Sequence, residues 1–378
     1  MGSVRRRPDG KWRARYRDPA GRERARHFRR KVDAERWLAS TETSKARGEW
    51  MDPALARMTV GEWATRWLDA QVHLKPSTAA RYRGVIDCQI RPTWDRVQIG
   101  RVTHEAVAAW VVELNKSGLS ARTVQKAHRV FSMVLDLAVR DRRIPFNPAL
   151  GVPLPRPGRT VKRYLSARQV HELAEAAGRD KVIVYVLAYV GLRFGELAAL
   201  RVGDLDIDRR RLRIERSVTD VNGKLVEGSP KTHRHREVVL PAFVAALVAD
   251  HAASKLPGDL LFPSHAGTIL RANNFRRYSF DRAARTVGIP GLTPHELRHT
   301  AASLAVSAGA NVKAVQHMLG HASAAMTLDV YAGLFGDDLD ALAERLDRLA
   351  AGLDADQMRT MSRAGDAPAE SRSADYGH

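Results

Sequence analysis

The chain of 378 residues is long enough for two or three domains, and its only cysteine, Cys88, excludes an intrachain disulfide. The formal net charge of +20 and the pI of about 10.6 predict a polyanionic partner such as nucleic acid. No apolar signal segment follows the first residues, and the longest apolar run, 182–190, is too short to span a bilayer. We therefore expect a soluble, cytoplasmic protein with no membrane partner. Heavy use of Arg and Ala is typical of GC-rich bacteria, so we expect it to be nucleoid-associated in a bacterium.

The charge is distributed unevenly along the chain. Residues 1–50 carry 16 Lys and Arg against 7 Asp and Glu, a net charge of +9 (16 − 7). Residues 337–378 carry 5 Arg against 10 Asp and Glu, a net charge of −5 (5 − 10). This polarity indicates a nucleic-acid-binding front and an acidic tail that stays off the DNA.

Residues 1–50 are predicted to form a small module of three strands and one helix, with turn signals at 8–10 and 18–21. Residues 11–17 alternate with period two, which places Trp12, Ala14 and Tyr16 on one face. The opposite face is basic and is either a DNA-binding surface, which the charge density favours, or a solvated one. Its side chains are Lys11, Arg13, Arg15 and Arg17.

Residues 58–147 are predicted to form four helices. Thr59 is a candidate N-cap of the first, Ser77 opens the second, the third covers 104–116, and the fourth begins near Ser120. One face of the fourth helix is basic and lines either a DNA-facing surface or a solvated one. This face carries Arg122, Lys126, Arg129 and Arg140. Residues 148–163 hold four prolines, two glycines and a basic end, which predicts an extended linker.

Residues 164–335 are predicted to form one larger mixed α/β domain. Ser166 and Gln169 match a capping box, and Asn222-Gly223 is a strong hairpin signal. Strands are expected over 211–217 and 237–240, and a helix over 274–287. A leucine stripe after Asp337 predicts a last helix, followed by disorder, within residues 336–378. The chain as a whole is therefore predicted to be α+β, mainly α with small β-sheets.

The densest cluster of chemical groups lies in residues 293–299. Pro294 suits the first turn of a helix, because its missing N–H is one of the donors that have no partner there. On that helix His295, Arg298 and His299 share one face, and the helix N-terminus attracts an anion. A second cluster, residues 317–331, ends at Tyr331. Imidazoles, a guanidinium and a phenol that converge on one anion indicate phosphoryl transfer.

One competing interpretation of residues 295–299 is a zinc site, because they match the metalloprotease pattern H-E-x-x-H. The metzincin extension of that pattern needs Gly and His where this chain has Ala302 and Ala305. Between 301 and 334 there is no Glu to serve as the third ligand, although Asp329 and the later histidines remain formal candidates. Zinc hydrolysis is therefore the weaker interpretation.

Several short motifs follow one another along the chain. They are Gly191-Leu192-Arg193-x-Gly195-Glu196-Leu197, Lys231-Thr232, His295-x-Leu297-Arg298-His299, Leu319-Gly320-His321 and Tyr331. Together they resemble the tyrosine recombinases, or phage integrase family, in their order and spacing, and the resemblance extends over about 350 residues. One departure is Glu296, where the family more often has Asp.

The resemblance implies a division of labour among the domains. Residues 1–50 would form an arm-type DNA-binding module, and residues 58–147 a helical, SAM-like core-binding domain. Residues 148–163 would be a basic linker, and residues 164–335 a catalytic domain of the DNA breaking-rejoining type. The helix within residues 336–378 would dock on a neighbouring protomer.

The resemblance also implies roles for individual residues. Tyr331 would attack a DNA phosphodiester and leave a 3′-phosphotyrosine and a free 5′-hydroxyl. Arg193 and Arg298 would clamp the nonbridging oxygens, since a guanidinium fork matches a phosphate.

Proton transfer would fall to the remaining residues. Lys231 would protonate the departing 5′-oxygen, and His295 would assist proton transfer with the tyrosine. His321 would donate to a phosphate oxygen. Glu196 would orient the site through hydrogen bonds, and His299 would support it.

The implied function is site-specific recombination by an integrase of a phage or mobile element, through a Holliday junction. No cofactor is implied, because the phosphotyrosine keeps the bond energy and neither ATP nor a metal is needed. The implied partners are double-stranded DNA at attachment sites, a homotetramer on that DNA, a directionality factor and a host DNA-bending protein. Two alternatives remain, a type IB-like topoisomerase and a DNA-binding regulator that has lost catalysis.

Overall fold

The computed structural model of the chain describes residues 2–158, 163–229 and 235–331, together with positions 343, 344 and 347. The chain divides into two compact units, residues 1–160 with 221–223, and residues 161–220 with 224–378. The described parts are mainly helical with three small sheets, so the predicted fold class is confirmed. The predicted C-terminal helix and tail, residues 336–378, lie outside the described residues except at those three positions.

The N-terminal module is a three-stranded antiparallel sheet with one helix against it, as predicted. Its elements are β1 Ser3–Arg6, β2 Trp12–Arg17, β3 Glu23–Phe28 and α1 Lys31–Ala46. β2 is central and pairs with both neighbours. Ala14 and Tyr16 are buried, and the Tyr16 ring lies 5.6 Å from that of Trp37 on α1. The alternating pattern of β2 therefore sets which face packs on the helix and which carries the arginines.

The rest of the first unit is helical. Its helices are α2 Val60–Asp69, α3 Pro76–Val85, α4 Arg91–Trp94, α5 His104–Lys116 and α6 Ala121–Arg140. Thr59 caps α2, as predicted, and forms a capping box with Glu62. α6 begins next to Ser120, as predicted, and Ser120 caps it. The second predicted helix differs in two respects. It begins at Pro76, and a π-helical turn, Ile86–Ile90, joins α3 to α4. Pro92, which cannot donate to a carbonyl four residues earlier, follows that turn.

The core of this helical region is aromatic. The rings of Trp94, Trp110 and Phe131 lie within 6.2 Å of one another, and all three residues are buried. The first part of the predicted linker packs on this core, because Ala149 and Val152 are buried and Gln125 donates to the carbonyl of Pro155. The stretch 148–158 is free of helix, in agreement with its prolines.

The second unit packs helices around the apolar helix α8. Its helices are α7 Ala167–Ala176, α8 Lys181–Val190, α9 Phe194–Ala198, α10 Ala242–Ala252, α11 Ala272–Phe275, α12 Asp281–Thr286, α13 Pro294–Ser307, α14 Val312–Leu319 and α15 Ala324–Tyr331. Eight of the ten residues of α8 are buried, because α7, α10 and α13 pack around it. The capping box of Ser166 with Gln169 is confirmed. Among the described residues, no helix is both long and apolar enough to cross a membrane.

Two small antiparallel sheets complete this unit. Their strands are β4 Leu205–Asp206, β5 Arg211–Ile214, β6 Ser217–Val221, β7 Lys224–Gly228 and β8 Arg236–Val239. The first sheet has the order β4-β5-β8, and β6 and β7 form a separate hairpin around Asn222 and Gly223, which both have positive φ.

Two predictions for this unit need correction. The predicted strand 211–217 is interrupted, because Arg216 bonds to Asp204 and the chain then enters β6. The predicted helix 274–287 starts at Ala272 and contains a π-helical turn, Arg276–Phe280, between α11 and α12.

The start of α9 lies against the backbone of β6. A Cβ added at Gly195 would overlap the carbonyl oxygen of Val218 and would lie 3.0 Å from the Ser217 hydroxyl. Only glycine allows this approach, which brings the helix that follows Arg193 against the hairpin. The glycine at position 195 of the motif 191–197 is therefore explained by packing.

We predict that Gly195→Ala lowers the free energy of unfolding of the second unit by about 1–3 kcal/mol, because the Cβ must displace backbone. Chemical unfolding followed by circular dichroism measures this loss. Gly258→Ala is the matched control, since an added Cβ there meets no heavy atom within 4 Å, and it should change stability by less than about 1 kcal/mol. Equal stabilities of the two variants would contradict the close approach.

Candidate active site

A buried carboxylate, Glu196 on α9, connects two arginines. Glu196 is 1% exposed and accepts a hydrogen bond of 2.8 Å from Arg193 Nη1 and one of 3.0 Å from the Arg193 backbone N–H. Arg236, the first residue of β8, donates to both carboxylate oxygens, at 3.0 and 2.7 Å. Burial alone would raise the pKa of Glu196, but the bonds and charges of Arg236 and Arg193 lower it to about 2. Glu196 is therefore ionised at neutral pH.

The turn at the end of α14, residues 319–320, is the meeting point of the predicted arginines. Arg298 Nη2 donates to the carbonyl of Leu319, and Arg193 Nη2 donates to the carbonyl of Gly320 at 3.4 Å. The Cα atoms of consecutive residues lie only ~3.8 Å apart, so both guanidiniums reach the same short stretch of backbone. Carbonyls at a helix C-terminus have no intrahelical partner and attract cations, which explains why arginines gather there.

Arg298 is 3% exposed, and its Nη1 donates to the carbonyl of Gly191 at the end of α8. It thereby joins the C-terminal ends of α8 and α14 from its own position on α13. This requires a fixed guanidinium fork, which a lysine could not replace. The structure thus gives Arg298 a packing role in addition to the predicted role at a phosphate.

His321 follows the same turn and is half-buried. Its Nδ1 lies 3.0 Å from the hydroxyl of the buried Thr327. Burial and the charges of Arg298, Arg193, His299 and Arg236 lower the pKa of His321 to about 4. The imidazole is therefore neutral at physiological pH.

The start of α13 presents the other two histidines. His295 is exposed, His299 is half-buried, and their ring centroids are 5.1 Å apart. His299 is close enough to His321 for its charge to lower the pKa of that residue. The structure therefore brings together Arg193, Glu196, Arg298, His321 and His299, with His295 in contact with His299.

Glu296 caps the start of α13. Its carboxylate accepts from the N–H and the hydroxyl of Thr293, at 2.7 and 2.9 Å, and from Arg163 at 3.1 Å. The expected anion at this helix N-terminus is thus, in part, the chain's own carboxylate. Among the described residues, no group of three His, Cys, Asp or Glu side chains is placed to hold a metal ion.

Two predicted catalytic residues lie partly or wholly outside the described residues. Tyr331 is the last residue of α15, but its side chain is not among those described. Lys231 lies in the stretch 230–234, outside the described residues. Their predicted roles as nucleophile and general acid stay predictions.

The predicted DNA-binding residues occupy two surfaces. Arg13 and Arg15 lie on the outer face of β2, where Glu23 pairs with both at 2.8 and 3.4 Å, and Arg17 donates to the carbonyl of Gly21. On α6, Arg122 and Lys126 are both exposed. Partial burial and the charge of Arg81 lower the pKa of Lys126, so Arg81 on α3 belongs to the same basic surface.

Two features were not predicted from the sequence. Arg236 belongs to the Glu196 network, and the inward position of Val238 two residues later could have indicated it, because β-strands alternate with period two. The second feature is a basic groove of about 360 Å³ on the helix that contains α11 and α12. It is lined by Asn273, Arg276, Arg277, Asp281 and Arg285.

Taken together, the site places two guanidiniums and a neutral imidazole around one turn, supported by a buried carboxylate. Guanidiniums present paired donors to the oxygens of a phosphate, and they stay charged at any physiological pH. Charge that builds up on those oxygens during displacement is stabilised by such fixed cations. Fold and site together describe an enzyme that acts on a phosphodiester.

Comparison with known proteins agrees with this class. The phage integrase family pattern matches residues 163–335, and the pattern of the phage integrase N-terminal domain matches residues 1–47. An integrase of Mycobacterium phage D29 is 31% identical over 371 residues, which cover 92% of this chain and 97% of the relative. The chain therefore belongs to the phage integrase family, the tyrosine recombinases whose motifs it carries.

Solved structures show the same fold. The Tn1549 transposon integrase in complex with a circular intermediate DNA superposes with a TM-score of 0.68 at 22% identity, covering 76% of this chain and 99% of that one. A lambda integrase tetramer bound to a Holliday junction superposes with a TM-score of 0.56 at 21% identity, covering 85% of this chain and 95% of that one.

We predict that Glu196 makes the free energy of unfolding depend on acid pH. Because its folded-state pKa is lowered from 4.5 to about 2, its stabilising contribution is present above pH 4.5 and is lost as the pH falls towards about 2. Between about pH 5 and about pH 3 this amounts to a loss of about 2 kcal/mol. Urea unfolding of the wild type and Glu196→Gln at both pH values tests it: the stability difference should shrink at the lower pH. A constant difference would contradict the ionised, paired state.

Proposed function

We propose that this chain cleaves and rejoins double-stranded DNA at the attachment sites of a phage or mobile element, through a 3′-phosphotyrosyl intermediate and a Holliday junction. The observation that carries the proposal is the convergence of Arg193 and Arg298 on consecutive carbonyls of the turn that precedes His321. A tetramer on DNA is the working form, supported by the lambda integrase tetramer on a Holliday junction. The reaction takes place on the nucleoid in the bacterial cytoplasm, with a directionality factor and a host DNA-bending protein as accessory partners.

In the cleavage step the Tyr331 oxygen forms a bond to phosphorus and the bond from phosphorus to the 5′-oxygen breaks. The phenolic proton leaves with the help of His295, and Lys231 protonates the 5′-oxygen. Arg193 and Arg298 bind the nonbridging oxygens. Rejoining reverses these transfers with a 5′-hydroxyl of another strand as the attacking group, so neither a metal nor ATP takes part.

His321 acts as a neutral hydrogen-bond donor. In the tautomer in which Nδ1 accepts from the hydroxyl of Thr327, the proton is on Nε2 and can be donated to a phosphate oxygen. Its lowered pKa supports this role, because the neutral form is the one present at physiological pH.

The other parts of the chain bind DNA outside the scissile phosphate. Residues 1–50 form the arm-binding module, which contacts DNA through Arg13, Arg15 and Arg17, and residues 58–147 form the core-binding domain. The core-binding domain contacts phosphates through the exposed cations of Arg122, Lys126 and Arg81. The basic groove of α11–α12 in the second unit also contacts phosphates through its arginines. The module favours recombination over a topoisomerase, since a topoisomerase needs no second DNA site.

We predict that Tyr331→Phe abolishes covalent capture of DNA and leaves DNA affinity within about threefold, because the phenol bonds to phosphorus but contributes little to binding. Nicked duplexes that contain the attachment site are incubated with protein in excess EDTA, and the denatured adduct is mapped to a peptide. Tyr189→Phe is the matched control and should keep capture, since the Tyr189 ring packs on Tyr185 and Phe243. An adduct on a residue other than Tyr331, or cleavage only after metal is restored, would refute the mechanism.

We predict that the double variant Arg13→Gln/Arg15→Gln weakens binding to DNA that flanks the attachment site and lowers the slope of log affinity against log salt by about 1 for each lost phosphate contact. Capture on core-site DNA should persist. Fluorescence anisotropy at several salt concentrations measures the slope. Arg30→Gln is the control from the same module, because Arg30 is 78% exposed and paired with Asp33 at the start of α1. The same slope for both variants would mean that the β2 face is only solvated.

A further inference from the structure

We propose that Arg236 is a positioning residue of the active site: it supplies the counter-charge to Glu196, so that Arg193 keeps its positive charge for the DNA phosphate. The inference rests on the phosphoryl-transfer function proposed above. Arg236 does not itself contact the phosphate in this proposal; it acts through Glu196 and through the turn that precedes His321.

The charge balance at Glu196 carries the first part of the argument. One buried carboxylate accepts hydrogen bonds from two guanidiniums, and Arg236 engages both of its oxygens while the Arg193 side chain engages one. The group therefore has a net charge of +1. Without the charge of Arg236, Glu196 and Arg193 would form a neutral pair, and a phosphate would have to compete with the carboxylate for Arg193.

The burial of Arg236 carries the second part. Its side chain is 6% exposed, which is costly for a cation unless it is paired. A Cβ added at Gly320 would lie 2.8 Å from Arg236 Nε, so this guanidinium packs directly against the turn. Gly320 has a φ of +62°, and its carbonyl accepts from Arg193. Arg236 thus packs against the same turn to which Arg193 and Arg298 donate hydrogen bonds.

The position of Arg236 in the chain adds a third observation. It begins β8, which pairs with β5 so that Arg236 lies opposite Ile214. Lys231, the proposed general acid, is five residues earlier. The bonds from Arg236 to Glu196 therefore join the start of β8 to the helix that follows Arg193.

The chain offers a matched control in Arg216. This residue also donates to both oxygens of a buried carboxylate, that of Asp204, at 2.7 and 2.6 Å. Its Nε, like that of Arg236, is buried without a hydrogen-bond partner among the described residues. Arg216 does not bond to Glu196 or to the turn 319–320 in the described structure. The Arg216 side chain is 30% exposed against 6% for Arg236, so loss of Arg216 should cost no more stability than loss of Arg236, and the two should differ in effect on cleavage.

The experiment compares Arg236→Gln, Glu196→Gln, the double variant, Arg236→Lys and Arg216→Gln. The first-order rate of covalent capture is measured with saturating protein on a nicked core-site duplex, and the Kd is measured separately. We expect Arg236→Gln to slow capture about 100-fold with Kd within about threefold, because the carboxylate of Glu196 then neutralises the charge of Arg193 at the reacting phosphate. The double variant should be about tenfold faster than Arg236→Gln, since it removes the competing carboxylate. Arg236→Lys should fall between Arg236→Gln and the wild type.

Each outcome has one meaning. Capture by Arg236→Gln at the wild-type rate overturns the inference, and so does a double variant no faster than Arg236→Gln, because a role in packing alone would give no rescue. An equal slowing by Arg216→Gln at equal thermal stability overturns it as well. Failure of the wild type to form an adduct at Tyr331 refutes the proposed function instead, so the two failures are distinguishable.

Discussion

Bringing like charges together is the physical problem on which this site depends. Arg193, Arg236 and Arg298 all contact residues of one short turn or the carboxylate beside it, and two unit charges 4 Å apart repel by about 4 kcal/mol in a protein-like medium. The buried carboxylate of Glu196 offsets part of this repulsion. The carbonyls of Gly191 and Leu319, at the C-terminal ends of two helices, offset a further part. The elements α8, α9, α14 and β8 must be in register for these groups to meet. The fold of the second unit thus holds positive charge at a place where it can bind a phosphate.

Local spacing explains why much of this could be predicted from the sequence. Arg193 and Glu196 are three residues apart at a helix start, and Thr293 and Glu296 form a capping box, so short-range geometry alone brings each pair into contact. Arg236 could not be predicted in the same way, because its contact with Glu196 spans 40 residues and depends on how β8 is placed. The interruption of the predicted strand 211–217 has a similar origin. Arg216 is drawn to Asp204, a residue 12 positions earlier, and no local pattern encodes that contact.

The state of His321 follows from the same concentration of charge. Four neighbouring cationic or ionisable groups disfavour its protonation, and the imidazole is left as a neutral donor whose orientation is set by Thr327. A protonated histidine there would add positive charge to a site that already has enough and would compete with the arginines for the same oxygens. A neutral histidine donates an oriented hydrogen bond and adds no charge. The division of roles between arginine and histidine thus comes from their surroundings as well as from their side chains.

The pattern H-E-x-x-H in this chain has a structural cause that is unrelated to zinc. Glu296 stands at the third position of α13, where its carboxylate satisfies the N–H of Thr293 and pairs with Arg163. His295 lies on the exposed first turn of the helix, where a histidine can reach a substrate. His299 lies one turn later on the same face. The carboxylate of Glu296 is therefore bonded to the start of the helix. Another acidic residue at this position would keep the bond to the N–H of Thr293 only if its carboxylate could reach it. Aspartate, the family's commoner choice, is one methylene shorter. In this chain the longer side chain spans from the helix start to Arg163, so Glu296 joins α13 to the first part of the second unit.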